Sequence, residues 1–173
     1  SYLGPDFTNQ EISKELNGLG ANIKFFNEKN IIEETSKAIN KGKIVGWFQG
    51  KMEFGPRALG NRSIIADPRS TKIQKTLNLK IKYRESFRPF APTILEEYVQ
   101  DWFKINTNSP YMLLVAYIKD SLLEVIKKNE KKFHGLDKLK VKRSIIPAVT
   151  HVDNSARIQT VGKEQNPLFY KLL

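Results

Sequence analysis

The amino-acid sequence predicts a mixed α/β (α+β) domain, and three observations carry that expectation. Stretches with helical spacing alternate with short apolar runs along the chain, the pattern that lays helices against a mixed sheet. The 173 residues are 40% hydrophobic and 27% charged, the balance of a chain that buries one core. No apolar run approaches the length of a bilayer-crossing helix. The N-terminus, SYLGPDFTNQEISK, lacks the basic start and apolar stretch of a secretory signal. The chain has no cysteine, which excludes disulfides and thiol chemistry and fits a cytoplasmic location.

Thr8-Asn9-Gln10-Glu11 has capping-box spacing and predicts a short helix ending near Gly18. Residues 21–26 read as a short strand. Asn27 caps the next helix, whose Ile31, Ile32, Thr35, Ala38 and Ile39 follow helical spacing until Gly42. Residues 44–48, bounded by Gly42 and Gly50, read as a buried strand. Residues 63–66 read as another, broken by Pro68. The connection between them, KMEFGPRALGNR, is longer and more charged than ordinary strand connections. Ser70 or Thr71 caps a helix running to about Lys80, with Ile73, Leu77 and Ile81 on one face. Pro89 and Pro92 argue against helix around them. Residues 93–95 are expected as strand and 96–103 as helix. Residues 111–118, YMLLVAYI, read as a central strand and 121–128 as a helix. A lysine-rich solvated segment follows. Residues 148–152 and 157–161 are two β-rich runs joined by Asp153-Asn154-Ser155-Ala156, which is turn chemistry. Pro167 precedes a short terminal helix, LFYKLL.

The net charge of +11 is concentrated in two places. Residues 51–88 carry +7 and residues 126–143 carry +6. Such a balance favours anionic partners: nucleotides, phosphorylated metabolites or nucleic acid. The second cluster is lysine-rich and reads as a solvated face. The first mixes arginine with Gly, Pro and Phe. Arg57 follows Gly55-Pro56, a stiff turn, and Gly60 relaxes the backbone three residues later. Lys82, Arg84 and Arg88 recur among Phe87, Pro89, Phe90 and Pro92. Guanidinium groups grip phosphate or carboxylate through paired hydrogen bonds, and a stiff setting lowers the entropy lost on binding. Only Glu53, Asp67 and Glu85 stand nearby to neutralise ten cations. The two histidines, His134 and His151, form no metal-ligand spacing, so no metal residue is assigned. Walker, Gly-x-Gly-x-x-Gly and Gly-x-Ser-x-Gly patterns are all missing.

GKMEFGPRALGNRSIIADPR, KIKYRESFRPFAPTILEE and THVDNSARIQTV together resemble the C-terminal domain of the O-carbamoyltransferases, the nodulation-type and antibiotic-tailoring enzymes. The resemblance runs from Tyr2 to the terminal NPLFYKLL, so residues 1–173 are read as one such domain. It implies a YrdC-like fold: an open twisted mixed sheet flanked by helices. It implies that ATP with Mg²⁺ and carbamoyl phosphate yield carbamoyl-adenylate, with carbamate attacking the α-phosphate and expelling pyrophosphate. It also implies a partner, an N-terminal Kae1-like domain that is absent from this sequence and carries the metal of the transfer step to an acceptor hydroxyl. By the same resemblance Arg57, Lys82 and Arg88 are nucleotide- and carbamoyl-phosphate-binding cations, Lys82 and Arg88 being the catalytic pair. Ser155 is a polar nucleotide contact. His151, Asp153 and Arg157 share its motif without an assigned role, and Asn154 stands where the family usually has glycine. Arg62 and Arg69 are expected to pair structurally. Relatives continue beyond LFYKLL into a further strand, so the sheet is expected to lack its C-terminal strand and to leave an edge open to pairing between copies in a homodimer. Two other readings stay open: a basic YrdC-like RNA-binding module, for which no RNP-type signature is present, and a non-catalytic docking domain of a split carbamoyltransferase. The acceptor is not legible.

Overall fold

The capping box of residues 8–11 forms as its spacing requires. Thr8 Oγ accepts from the Glu11 N–H at 3.3 Å and the Glu11 carboxylate accepts from the Thr8 N–H at 2.8 Å, which starts α1 (Asn9–Gly18). A computed structural model of the chain describes residues 1–128 and 130–173. Asn27 caps α2 (Glu28–Asn40) by accepting from the Asn30 N–H at 2.9 Å. Gly42, at φ +75°, ends it. Residues 21–26 form no strand, contrary to their composition: Phe25 and Phe26 are exposed, and none of the described ladders pairs with them. A β-rich run without a partner edge has nothing to hold it extended.

β1 (Val45–Phe48) pairs antiparallel with β2 (Arg62–Ile65), Val45 opposite Ile65 and Phe48 opposite Arg62. β1 is buried on one face only. Trp47 packs with Ile32, Ile65, Phe169 and Leu172, while Phe48 is 53% exposed. α3 (Ile73–Thr76) is capped by neither Ser70 nor Thr71: Lys72 holds the cap position without a side-chain hydrogen bond, the Ser70 hydroxyl accepting from the Lys72 N–H at 3.3 Å instead, and the helix runs into a π turn, Leu77–Ile81. Ile73 and Leu77 are buried as their spacing requires. Ile81 is exposed, because the wider π turn rotates it off that face.

β3 (Thr93–Leu95) pairs in parallel with β6 (Gln159–Val161), and β4 (Val115–Tyr117) antiparallel with β5 (Ser155–Arg157). Between β3 and β4 lie a 3₁₀ turn, Glu96–Tyr98, and α4 (Val99–Trp102). The expected strand at 111–118 shortens to three residues, because Met112 adopts φ +57° and breaks the extended run. Its side chains Tyr111, Leu113, Val115 and Tyr117 face solvent, so it is no central strand. The helix expected at 121–128 is reduced to a 3₁₀ turn, Asp120–Leu122. There Glu124 and Leu122 exchange backbone hydrogen bonds with Arg143 and Ile145 instead. Residues 148–152 are likewise not strand: Pro147 opens a 3₁₀ turn, Pro147–Val149. The second β-rich run is divided at Ile158, so that β5 serves one ladder and β6 another. Α5 (Pro167–Leu172) closes the chain as expected, capped by Asn166.

The class is therefore mixed α/β, with the sheet divided into three open two-stranded ladders among the described residues. The main core lies between α4 and the β4–β5 ladder, where Val99, Phe103, Ile118, Ile146, Ala156 and Ile158 pack together. A cavity of about 690 Å³ opens between α2, β2, β3 and α5, lined by Ile64, Ile94, Trp102, Phe169 and Leu172 among others. No helix among the described residues is long and apolar enough to cross a membrane.

Candidate functional site

Glu53 organises the long connection between β1 and β2. Its buried carboxylate accepts from the N–H groups of Leu59 at 2.7 Å, Asn61 at 2.8 Å and Arg62 at 3.2 Å. Burial pushes this carboxyl up, but the backbone donors outweigh it and hold it below its ordinary value. Asn166 braces the same connection. It donates to Asn61 Oδ1 at 2.9 Å and to the Tyr2 hydroxyl at 3.2 Å, and accepts from Gln49 at 2.6 Å. Gly60, at φ +106°, lies so close to the Phe169 ring that a β-carbon there would stand 2.7 Å from Cε1. The exposed tip, Gly55-Pro56-Arg57, is thus held from both flanks.

Arg62 and Arg69 are occupied within the fold. Arg62 donates to the carbonyls of Gln49, Asn61 and Pro5 and lies 3.6 Å from the centre of the Phe48 ring. Arg69 pairs with Asp67 at 2.8 Å and reaches Asn40 at 2.8 Å; its hydrogen bonds hold the Asp67 carboxyl down.

The segment bearing Lys82 and Arg88 hangs on Asn78, which is fully buried. Asn78 donates to the carbonyls of Ser86 at 3.2 Å and Arg88 at 2.9 Å, and accepts from Arg84 Nε at 2.6 Å. Arg84 in turn lies over the Phe90 ring. Lys82 is exposed. Arg88 is exposed and pairs with Glu85 at 3.0 Å, a surface contact weak enough to yield to a ligand.

Ser155 is buried rather than facing solvent. Its hydroxyl donates to Asp153 Oδ1 at 2.7 Å and its oxygen meets His151 Nδ1 at 2.9 Å. The Ser155 hydroxyl, then its backbone N–H at 3.0 Å, hold the Asp153 carboxyl below its ordinary range. Asn154, at φ +67°, supplies the left-handed turn expected of it. Burial pushes the His151 imidazole down; the Asp153 charge opposes this and the Arg157 charge adds to it.

Arg157 is the meeting point. Its guanidinium is lowered by burial and then by the like charge of Arg57. Arg157 and Ser155 lie two residues apart on β5 and so share a face of the strand, which sets Arg157 on the side of the His151–Asp153–Ser155 group; the charge of Arg57, on the β1–β2 connection, bears on it weakly. No described hydrogen bond or ion pair ties Lys82 or Arg88 to this group. Like charges repel, so a cluster of cations with few bonded carboxylates suits a phosphate or carboxylate ligand. The large cavity does not: none of Arg57, Lys82, Arg88 or Ser155 lines it, and Arg69 at its rim is already paired.

Sequence reasoning missed three residues. Arg157 was left without a role, although its motif was noticed. Glu53 was counted only as a counter-charge, whereas the turn it sits in has unpaired N–H groups to satisfy. Asn78 gave a faint signal, an amide on an otherwise apolar helical face.

The family model of the carbamoyltransferase C-terminus matches residues 36–173. An uncharacterized protein of Synechocystis is 52% identical over the whole of this chain. Nodulation protein NolO of Bradyrhizobium diazoefficiens is 34% identical over 99% of it. The 3'-hydroxymethylcephem-O-carbamoyltransferase of Amycolatopsis lactamdurans is 38% identical over 82% of it. The chain spans only 28%, 28% and 23% of the lengths of these three relatives. On the family match and the fold together, the chain belongs to the carbamoyltransferase C-terminus family.

Proposed function

We propose that the chain is the activating domain of a carbamoyltransferase, binding ATP and carbamoyl phosphate and forming carbamoyl-adenylate. The single observation that carries this reading is the connection braced by Glu53, which presents the exposed Arg57 on rigidly held backbone with no carboxylate bonded to it among the described residues. An unpaired guanidinium held on a braced loop loses little entropy when it binds an anion. The exposed Lys82 and the weakly paired Arg88 supply further cations for a polyphosphate. Mg²⁺ bound with the nucleotide would supply further charge neutralisation beside these cations.

The chemistry asks mainly for positioning and charge neutralisation. Water first cleaves carbamoyl phosphate to carbamate and inorganic phosphate; a carbamate oxygen then forms the new bond to the α-phosphorus, the bridge to the β-phosphate breaks, and pyrophosphate leaves with the electron pair. Arginine and lysine side chains stabilise the charge spreading over the phosphoryl oxygens. Ser155, buried and doubly hydrogen-bonded, acts here by shaping the 151–157 turn. The greater length of the relatives supports a further domain that takes the carbamoyl group to its acceptor hydroxyl. Use of ATP and the lack of cysteine suit the cytoplasm.

The test is to incubate the protein with ATP, Mg²⁺ and carbamoyl phosphate and to follow pyrophosphate and carbamoyl-adenylate by mass spectrometry. Arg57→Ala, Lys82→Ala and Arg88→Ala are each expected to lower product at least tenfold. Absence of nucleotide binding at millimolar ATP, with variants indistinguishable from the parent, overturns the reading. RNA binding that is salt-sensitive and indifferent to ATP would favour a nucleic-acid role instead.

A further inference from the structure

The stretch HVDNSAR, residues 151–157, carries a proton arrangement that its geometry determines. A serine hydroxyl has one hydrogen to give. The Asp153 carboxylate only accepts, so the Ser155 O–H is directed to Asp153 Oδ1 at 2.7 Å. Ser155 Oγ then offers only lone pairs to His151 Nδ1 at 2.9 Å, and the imidazole must hold its proton on Nδ1. The backbone reinforces this: the His151 N–H donates to the Ser155 carbonyl at 2.8 Å, and the Ser155 N–H donates to Asp153 at 3.0 Å. A neutral ring has one N–H. Nε2 is therefore left with an unshared pair.

That nitrogen makes no hydrogen bond among the described residues, and it is not sealed from solvent. Arg157, two residues from Ser155 on β5, lies on the strand face that carries the ring's partner Ser155, and the charge of Arg57 bears on it weakly. The charged groups facing the ring are thus Asp153 and Arg157. Arg57 and Arg157 are donors only. The second oxygen of Asp153 accepts, but its charge repels an anion. The imidazole lone pair accepts without bringing negative charge.

We propose that His151 is a specificity-determining residue: Nε2 accepts a hydrogen bond from the amino group of the carbamoyl ligand while the arginines hold its anionic end. The inference rests on the reading that this site takes carbamoyl phosphate. Acetyl phosphate has the same shape and the same phosphate but a methyl group where the amino group stands. It leaves the acceptor unpaired, which is how a polar site rejects an isostere. Ser155 and Asp153 act through His151 as positioning residues, by fixing which nitrogen carries the proton.

The experiment measures binding of carbamoyl phosphate and acetyl phosphate by calorimetry, on the parent protein and on His151→Leu, at pH 7.5. The parent is expected to prefer carbamoyl phosphate about tenfold, equivalent to about 1.4 kcal/mol. His151→Leu is expected to bind both alike while still binding phosphate. A second measurement needs no substitution. As pH falls below the ordinary imidazole value of 6.5, under which burial holds this ring, it gains its second proton, Nε2 becomes a donor, and the preference should fall towards one. Both ligands share the same phosphate, so its own titration largely cancels in the ratio. Equal binding by the parent, or a preference unchanged by pH and by the substitution, overturns the inference and leaves the anion site standing. If neither ligand nor ATP binds, the functional reading fails and this inference with it.

Discussion

Glu53 shows how one residue outside the chemistry can set it up. It is a buried carboxylate answering three backbone N–H groups in the turn that carries Arg57. Its carboxyl lies below the ordinary value of 4.5, so its contribution to stability is fully present above that value and is lost as pH falls through the lowered one. Glu53→Gln keeps one acceptor oxygen but loses the charge. It is expected to cost about 1–3 kcal/mol at pH 7. In thermal melts taken from pH 7 down to pH 3, the gap between parent and variant should close below about pH 4.5. A gap that persists unchanged in acid would assign the loss to packing instead. The composition of the turn announced a rigid arginine; it did not announce the carboxylate beneath it, because a lone glutamate in a basic stretch reads as a surface counter-charge.

At the scale of elements, the segment from the end of α3 to β3 depends on Asn78. This buried amide replaces the ladder partner that an extended, proline-rich segment lacks. It ties the carbonyls of Ser86 and Arg88 to the π turn and holds Arg84 by its Nε. Asn78→Ala would leave two carbonyls without a donor and is expected to destabilise the fold by about 1–3 kcal/mol. It should also weaken ATP binding, since Lys82 and Arg88 lose their anchored backbone. Denaturant unfolding and nucleotide titration on the same sample test both. Unchanged ATP affinity in a destabilised variant would show that the segment does not position the cations. The starts of α1, α2 and α5 were legible because Thr8 and Asn27 act on backbone within three residues and Pro167 suits the first helical position. The strand at 111–118 and the helix at 121–128 were misjudged because distant chain decided them, Arg157 and Ser155 in one case and Arg143 and Ile145 in the other.

On the scale of the whole molecule, the division into three two-stranded ladders leaves open edges. β4 presents Val115 and Tyr117 to solvent, 57% and 56% exposed, and Leu113 just before it is 75% exposed. An exposed apolar edge strand is a template for pairing with another chain. The mass in light scattering is therefore expected to rise with concentration, and Val115→Lys, which places a charge on that edge, to return it to the monomer. A monomer mass independent of concentration would sink the idea of pairing between copies. The net charge of +11 opposes such association at low salt, so the rise should steepen as salt is added.

By itself the sequence determined what short-range physics controls. Caps, the stops at Gly42 and Pro68, the stiff turn before Arg57 and the left-handed residue at Asn154 all follow from torsional limits and hydrogen bonds between near neighbours. Three long motifs in order also marked the family. The tertiary structure alone decided where the arginine-bearing connection sits. Gln159 on β6 donates to the Leu59 carbonyl at 2.9 Å and Asn166 bonds Asn61, fastening the β1–β2 connection that carries Arg57 to the end of the chain. Contacts that join residues a hundred positions apart depend on how the core packs, and residue spacing along the chain carries no record of that.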